Sequence, residues 1–429
     1  MTTVDAISEP VRAGVRRPAA LLGAAVALAQ DRVPAGRAGR RAVARPDEDA
    51  VTLSAQAAAR VLPVDLERVG AIVLATTTPP YATGASVQTL AELLGLQGDV
   101  FGLELTASTR DGLAAVRVAA GLARPGAPVL VCAAHAAPAD RTTGDGAIAL
   151  LVGDADDLAD GGDALAVLTP AAALAVELRD RWRLAGAAEE RLADRSFVQT
   201  VGTERLARDL HALVADEHRA APLVVGPDSR GSATVERELG GDGDDVTRHC
   251  GVVGAAHPLL RLLAGLSAPR LALSLSNGLG EALHARPAGD CAALVAAIRA
   301  ELEEGGREAD APMSVPEAAD FDPFASGPRA WRDRGVDLRL DGLIGAPPSL
   351  PPGRRPPEGT VIAWTRDHVY PGAPGTEMVA VRMANGSQFF GQVAMGETVS
   401  IGDPVELVPR LLHHGGEMNQ YFWKVKPCR

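Results

Sequence analysis

Two places in the sequence set side chains capable of covalent chemistry where a fold could use them. His249 and Cys250 are adjacent, and a thiol beside an imidazole is an ordinary way to obtain a thiolate near neutral pH. Against that stands the commoner use of a free cysteine as a small buried apolar residue. Ser108 and Thr109 precede an Ala/Leu/Val-rich run that begins at Gly112. A hydroxyl ionises far above a thiol and attacks only with a base in reach. Its plainer use before a helix is to cap it. The bases on offer are His135, His249 and Asp111. His135 follows a strand-like run containing Cys132 and faces either a cavity or a loop. Asp145 lies between two glycines and reads as a turn residue, and His413-His414-Gly-Gly reads as an exposed loop. The four cysteines, Cys132, Cys250, Cys291 and Cys428, have neither zinc-knuckle nor disulfide-framework spacing, so a reducing cytoplasm is the simplest setting.

The elements that must position these groups fall into two kinds. Short apolar runs bounded by Gly, Pro or Asp predict strands at Ala71–Ala75, Pro128–Ala133, Ala147–Val152, Pro222–Val225 and Leu271–Leu275. Between them, Val51–Val61, Ser86–Leu94 and Gly112–Leu122 carry helical periodicity. Such alternation predicts an α/β domain with buried, largely parallel strands. The second half broadly echoes the first, which hints at an internal duplication. Beyond residue 357 the pattern changes. Val361–Thr365, Met378–Met383, Gln388–Val393 and Pro404–Pro409 are strand-like, and Asn385-Gly386 is a hairpin signal. A small β-barrel is expected there.

Composition supports that division. Only Tyr81, Phe101, Trp182 and Phe197 are aromatic before residue 300, whereas ten aromatic residues follow residue 320. The charged Gly/Pro-containing segment Glu303–Pro316 reads as the linker. A net charge of −12 argues against nucleic acid or an anionic membrane as the main partner. Only Lys424 and Lys426 are lysines, a bias toward arginine that reflects genome composition rather than function. Arg16-Arg17 ahead of the apolar run Ala19–Ala29 has some of the look of a twin-arginine export signal. The reading adopted is a first core segment. No apolar run is long enough to span a membrane as a helix.

Several stretches point to a family. Ala44-Arg-Pro-Asp-Glu-Asp-Ala-Val51, Ala75-Thr-Thr-Thr-Pro-Pro-Tyr81, Gly144-Asp-Gly-Ala-Ile-Ala-Leu150 and Gly254-Ala-Ala-His-Pro-Leu-Leu260, followed by Ser276-Asn-Gly-Leu-Gly280, stand in a telling order. Residues 20–300 resemble the hydroxymethylglutaryl-CoA synthase-like proteins, thiolase-superfamily relatives of the ketosynthase III-like enzymes. Phe389-Phe-Gly-Gln392, Ile401-Gly-Asp-Pro-Val-Glu-Leu407 and Tyr421-Phe-Trp-Lys424 resemble DUF35-type OB-fold proteins. The resemblance implies a five-layered α/β/α/β/α thiolase-like fold over residues 1–302. It implies a linker and degenerate zinc-ribbon segment over 303–357 and an all-β OB-fold barrel over 358–429. A zinc ribbon needs thiolate or imidazole ligands. Leu340–Pro357 has no cysteine, so no metal is expected.

The resemblance also implies chemistry: acyl transfer and carbon–carbon bond formation on thioesters of coenzyme A or a carrier protein, with no further cofactor. In the family a cysteine at a helix N-terminus takes the acyl group. A histidine and an asparagine or second histidine polarise the carbonyl, and a glutamate serves as acid and base in the synthase branch. Matched position by position, Thr109 stands in the cysteine's place with Ser108 beside it. Gly226 stands for the histidine, Val252 for the asparagine, and Ala82 or Thr83, after Tyr81, for the glutamate. Tyr81, Gly226, Val252 and the closing glycines Gly278 and Gly280 are the expected substrate-binding positions. Thr109, Ser108, Cys250 and His249 are the candidate catalytic ones, and His257 fits a structural position of the family. Two functions stay open. One is an acyltransferase or condensing enzyme with an altered active site. The other is an inactive scaffold or acyl-channelling subunit that partners an active thiolase or ketosynthase. In either case a homodimer is expected, with Val129–Ala134 as its interface strand, and neither nucleic acid nor membrane as partner.

Overall fold

The computed structural model describes residues 17–36, 39–62, 68–96, 98–106, 108–137, 142–155, 164–185, 189–303, 305–313, 358–368, 375–415 and 418–428. The degenerate ribbon segment, and with it the expectation of no metal there, lies outside the described residues, as do the side chains of His413 and His414. Among the described residues no helix is long and apolar enough to cross a membrane.

The first half runs β1 (Ala19–Leu28), β2 (Asp31–Ala35), β3 (Gly39–Val43), α1 (Ala50–Ala58), β4 (Ala71–Thr76), α2 (Val87–Leu93), β5 (Phe101–Leu105), α3 (Asp111–Leu122), β6 (Val129–His135) and β7 (Gly146–Gly153). The second half runs β8 (Ala166–Ala175), a hairpin of β9 (Arg181–Trp182) and β10 (Arg191–Leu192), α4 (Arg195–Phe197) and a π-helical stretch Val198–Arg205. It continues through α5 (Leu206–Ala212), β11 (Ala221–Val225), α6 (Ser229–Glu238), α7 (Val246–Cys250), α8 (His257–Ala264), β12 (Arg270–Ser276), β13 (Leu279–Pro287), α9 (Ala292–Glu303) and β14 (Arg307–Glu308).

Nine strands form one sheet in the order β11-β12-β13-β8-β1-β7-β6-β4-β5. Its two wings repeat one plan. β1 lies antiparallel to β7, β7 antiparallel to β6, and β6 parallel to β4. Likewise β8 lies antiparallel to β13, β13 antiparallel to β12, and β12 parallel to β11. Within the sheet the wings pair where Ala19–Leu21 meets Ala166–Leu168, so the apolar run after Arg17 is a core strand. Three apolar clusters set the layers. Ile72, Leu74, Leu130 and Leu151 pack under α1 and α2 on one outer face. Leu271, Leu273 and Leu275 pack under α5 on the other. Between the wings, α3 and α8 share a core with Val73, Val131, Leu223 and Leu283.

The C-terminal unit is β15 (Glu358–Asp367), β16 (Thr376–Met383), β17 (Gln388–Gln392), β18 (Pro404–Gly415) and β19 (Met418–Pro427). Its order is β17-β16-β15-β18-β19, each neighbour antiparallel. A parallel bridge from Val393 to Val425 nearly closes the sheet on itself. Val361, Val379, Val381, Phe389, Leu407 and Val425 fill it. Gly386, with φ 86°, makes the turn between β16 and β17, while the Asn385 side chain accepts from Ser387.

This unit is bound to the body through buried charge. The row Arg45-Pro46-Asp47-Glu48-Asp49 leads into α1, and Asp49 caps that helix reciprocally with Thr52. Asp47 accepts from Lys424 Nζ at 2.9 Å and from the Met395 N–H at 3.0 Å. Glu48 pairs with Arg410 at 2.9 Å, and Asp49 accepts the Tyr421 hydroxyl at 2.6 Å. Arg45 reaches from Asp31 to Glu397 and Met395 O. Arg45, Asp47, Arg410 and Lys424 are each only 1% exposed, so no member of the set can turn to water if its partner is lost. Burial pushes the Asp47 carboxyl up, but Lys424, Arg410 and the Met395 N–H outweigh it and the net shift is downward.

Breaking such a pair by deleting one partner typically costs about 3–5 kcal/mol. Asp47→Ala is expected to lose about that much in chemical denaturation and to make the barrel the first site of limited proteolysis. Because the folded Asp47 pKa lies below its unfolded value, the wild-type coupling is fully present above about pH 4 and fades as pH falls further. An acid titration of proteolytic susceptibility checks the sign.

Candidate functional site

The N-terminus of α3 is where the sequence places a nucleophile, and its geometry begins with glycine. A Cβ on Gly112 would overlap the Ala255 carbonyl oxygen, so helix and turn approach backbone to backbone. The turn Gly254–Ala256 is held from its other side as well. Gly254 has φ 40°, and a Cβ there would press on Thr77 Oγ1 and His135. A Cβ on Gly144 would overlap the Cys250 carbonyl, and Gly144 N donates to Val252 O at 3.0 Å. Four segments of the two wings are thereby locked together around residues 250–256.

Within this frame the candidate hydroxyls are poorly placed for attack. Ser108 is buried, and its Oγ donates to Asp111 Oδ1 at 3.3 Å while its N–H donates to Asp111 Oδ2 at 2.8 Å. Asp111 also takes the Arg110 guanidinium at 2.9 Å. Asp111 is thereby already engaged by three donors of its own turn. The hydroxyl cap expected from sequence is replaced by its reverse, with a carboxylate of the first turn reaching back to Ser108. Thr109 is half-buried, and among the described contacts its hydroxyl has no base. His135 is not free to serve it: Nδ1 meets Thr77 Oγ1 at 2.6 Å and Nε2 meets Thr143 Oγ1 at 3.1 Å.

Cys250 resolves to its plainer alternative. It is fully buried, its Sγ is directed at the Val246 and Gly251 carbonyls, and burial pushes its thiol up to about 12. Among the described contacts no hydrogen bond joins it to His249, which is half-buried at the end of α7. Asp145 is structural, accepting the Ala44 and Ala137 N–H groups at 2.8 and 2.7 Å.

The structure does bring two expected positions together. Gly226 and Val252 both line a cavity of about 270 Å³ between the end of β11, α6 and the start of α8. Its polar wall is a chain of side chains. Glu236 pairs with Arg261 at 2.8 Å, Arg261 with Asp244 at 3.3 Å, and His257 Nε2 lies 3.2 Å from Thr247 Oγ1 and 3.5 Å from Asp244. Burial works to raise the Asp244 carboxyl, but His257, Arg261 and Thr247 hold it well below the usual range. Sequence reasoning missed Glu236, Asp244, Thr247 and Arg261. The available signal was the four-residue spacing of His257 and Arg261 on one helix face. Gly226 is committed to glycine, since a Cβ there would lie 2.7 Å from Thr203 Cγ2.

Tyr81, Gly278 and Gly280 are not among the residues lining this cavity. The Tyr81 hydroxyl accepts the Asn419 N–H at 3.0 Å and so touches the barrel. Asn277, with φ 50°, and Gly278, with φ 74°, form the tight turn between β12 and β13. Gly280 packs in β13 against Leu210 and Leu275. Ala82 and Thr83 are exposed in the turn after Tyr81.

With this geometry in view, comparison with known proteins is informative. No family model matches the sequence. A hydroxymethylglutaryl-CoA synthase of Pyrobaculum neutrophilum is 35% identical over 83 residues, which is 19% of this chain and 24% of that one. One of Methanosphaera stadtmanae is 26% identical over 132 residues, 28% and 38% of the two chains. The chain thus matches between a quarter and two fifths of the length of these relatives. Among solved structures, MvaS in complex with 3-hydroxy-3-methylglutaryl coenzyme A superposes with a TM-score of 0.54 at 20% identity, over 70% of this chain and 94% of that one. The curacin-pathway HMG synthase in complex with acetyl donor-ACP gives 0.54 at 17%, over 68% and 86%. OleA of Xanthomonas campestris gives 0.53 at 14%, over 62% and 96%. The fold is that of the thiolase-like HMG synthases and OleA.

A thiol held near 12 reacts slowly at neutral pH. Iodoacetamide is expected to leave Cys250 and Cys132 unmodified in the native protein and to label half-exposed Cys428 first, read by peptide mass mapping. Preferential native labelling of Cys250 would restore it as a candidate nucleophile.

Proposed function

We propose that this chain is a thiolase-fold protein that handles acyl-CoA or acyl-carrier-protein thioesters without an acyl-cysteine step, as an accessory subunit of a condensing system. One observation carries the reading: the positions matching the family's histidine and asparagine, Gly226 and Val252, converge on one cavity, yet no reactive thiol stands with them. Removing the nucleophile alone from a catalytic set can cost about a millionfold, so condensation through an acyl-cysteine is absent. What the cavity retains is room and a polar wall, suited to holding a thioester. No cofactor is required, because the activated acyl group is itself the substrate.

We read the C-terminal unit as an OB-fold of the DUF35 type, since its strand order with β17 closing on β19 matches such a barrel. Its place is to dock or channel the acyl chain toward an active thiolase or ketosynthase. Residues 1–302 and 358–429 are the two domains. Assembly is proposed to be a homodimer in the cytoplasm, but through a different strand from the one the sequence suggested. Val129–Ala134 belongs to β6, buried between β4 and β7. β5 is one of the two edge strands of the sheet, and its first residue, Phe101, is 53% exposed; an open edge pairs readily with a second copy. A second reading, catalysis by a hydroxyl, rests on Thr109, whose side chain is half-buried at the terminus of α3.

Intact-mass analysis after incubation with acetyl-, malonyl- and longer acyl-CoAs is expected to show no adduct, while calorimetry shows acyl-CoA binding that Val252→Trp weakens. A stoichiometric acyl adduct lost in Thr109→Ala would establish the hydroxyl route and end the accessory reading. For assembly, light scattering is expected to give a dimer that Phe101→Glu converts to monomer. A wild-type monomer at micromolar concentration contradicts it.

A further inference from the structure

Six of the ten large apolar side chains exposed among the described residues, Val176, Trp182, Leu184, Leu192, Phe197 and Leu279, gather around the β9–β10 hairpin. The hairpin is a two-stranded sheet apart from the main one, with Trp182 opposite Arg191 and Arg181 opposite Leu192. Leu184 and Leu192 are 68% and 66% accessible. A lone two-stranded hairpin is marginal in water, and this one is held at its foot. Asn277 Oδ1 accepts the Asp180 and Arg181 N–H groups, Asp180 Oδ2 accepts the Asn277 N–H at 2.7 Å, and Ala193 N donates to Asp180 O. Val176 N donates to Gly278 O, and Leu279 pairs with Ala175, which brings both of those apolar side chains to the same foot. An apolar arm is thus fixed in solvent by local hydrogen bonds, and apolar surface held in this way marks a contact with another molecule.

Charge identifies the occupant. The chain carries −12, so two copies repel over most of their surface. Residues 177–195 are the exception, with five arginines against five carboxylates. In a two-fold contact every element meets its own copy, so its net charge enters as a square and only a neutral element escapes self-repulsion. The signs are also sorted along the arm. Arg179, Arg181 and Arg183 stand on and beside the first strand, whereas Glu189 and Glu190 lead into the second. Two arms turned by a two-fold set each arginine row beside the other's glutamates. Arg181 and Glu190 lie 3.7 Å apart within one arm with both side chains half exposed, so they are open to exchange partners. A neutral apolar arm has no preference for a cationic or an anionic partner, and it complements itself. Strand pairing gives the second wing no alternative. β11 is its edge strand, but Val224 N–H donates to Glu236 Oε2 at 2.8 Å, Val224 O accepts from Arg261 at 3.1 Å, and Gly226 N–H donates to Ser232 Oγ at 3.0 Å. An edge covered by side chains in this way is closed to another strand.

We propose that the β9–β10 arm packs against the same arm of a second copy about a two-fold axis, with Trp182, Leu184 and Leu192 at the centre and Arg183 beside Glu189 of that copy. The contact lies on the opposite wing from β5, so it joins two β5 dimers into a tetramer. It stands whether or not the chain handles thioesters. It also reaches the cavity. A Cβ on Gly202 would touch Leu178 and Asp180 at the foot of the arm, and the next residue, Thr203, packs on Gly226. Closing the contact therefore holds one wall of the cavity in place.

Sedimentation velocity of the full chain tests this. A dimer at about 1 µM is expected to give way to a tetramer at about 100 µM, as suits a contact at the small end of specific interfaces. Phe101→Glu, which removes the β5 contact, should leave a monomer that dimerises over the same range. Leu192→Glu should abolish the step in both backgrounds, with circular dichroism unchanged. Arg183→Glu and Glu189→Arg each unbalance the arm and should weaken self-association about tenfold, whereas the two variants mixed should associate with each other more tightly than either does with itself. A wild-type dimer that stays a dimer at the higher concentration overturns the proposal. So does a step indifferent to Leu192→Glu, or a mixture no tighter than its components. If the wild type passes from monomer to dimer and only the arm variants abolish that step, the arm contact stands and the β5 contact fails.

Discussion

The close approach of α3 to the turn Gly254–Ala256 is the constraint on which the rest of the body depends. Helix and turn come from different wings of the sheet, and only glycine at 112 lets them touch backbone to backbone. Gly144 and Gly254 extend the same contact to β6 and to the loop after β4. Gly112 and Gly144 meet backbone carbonyls, whereas Gly254 meets the Thr77 and His135 side chains. The thiolase-like fold here thus rests on close approaches that only glycine permits. What remains at the centre is shape, and the polar wall from Glu236 to His257 then fixes which side of the cavity is wet.

A second constraint ties the barrel to the body. Five charged side chains at the Arg45–Glu48 row and on β18 and β19 are nearly sealed from solvent, and each depends on a group from the other unit. Buried pairs of this sort add little net stability against an apolar alternative. They do fix geometry, since one residue of slip leaves a charge uncompensated. The barrel is thus held in one orientation over the N-terminus of α1, and Tyr81 and Asn419 carry that fixity to the loop after β4.

Much of the fold was legible in the sequence. The apolar runs at 71–75, 128–133, 147–152, 222–225 and 271–275 fall within or on β4, β6, β7, β11 and β12, because strands buried on both faces read as unbroken apolar stretches. Ala19–Leu28 was harder, since an alanine-rich run carries no period and no β-branched preference. Asn385-Gly386 was read as a turn, yet Asn277-Gly278, with the same dipeptide between apolar runs, was taken for a glycine loop. The site was less legible. Whether Cys250 reacts depends on burial, which adjacency to His249 does not reveal. Glu236 sits in a polar stretch that looks like surface, and only the fold turns it inward, while Asp244 stays exposed at the cavity's edge. Val129–Ala134, expected at an interface, lies inside the sheet, because apolar content marks an interior strand as readily as an edge.

The buried pairing of Asp47 with Lys424 joins residues 377 positions apart. On the ribosome the carboxylate row leaves the exit tunnel long before the cations that neutralise it. Until β18 and β19 are made, the entrance to α1 holds Asp47, Glu48 and Asp49 in a place that the finished molecule keeps dry. The body therefore completes its packing only after β18 and β19 have been made, and a chain cut before them loses more than barrel strands. Fusion of the two units in one polypeptide makes their ratio one to one by construction, and it makes the late strands β18 and β19 a condition for closing the entrance to α1.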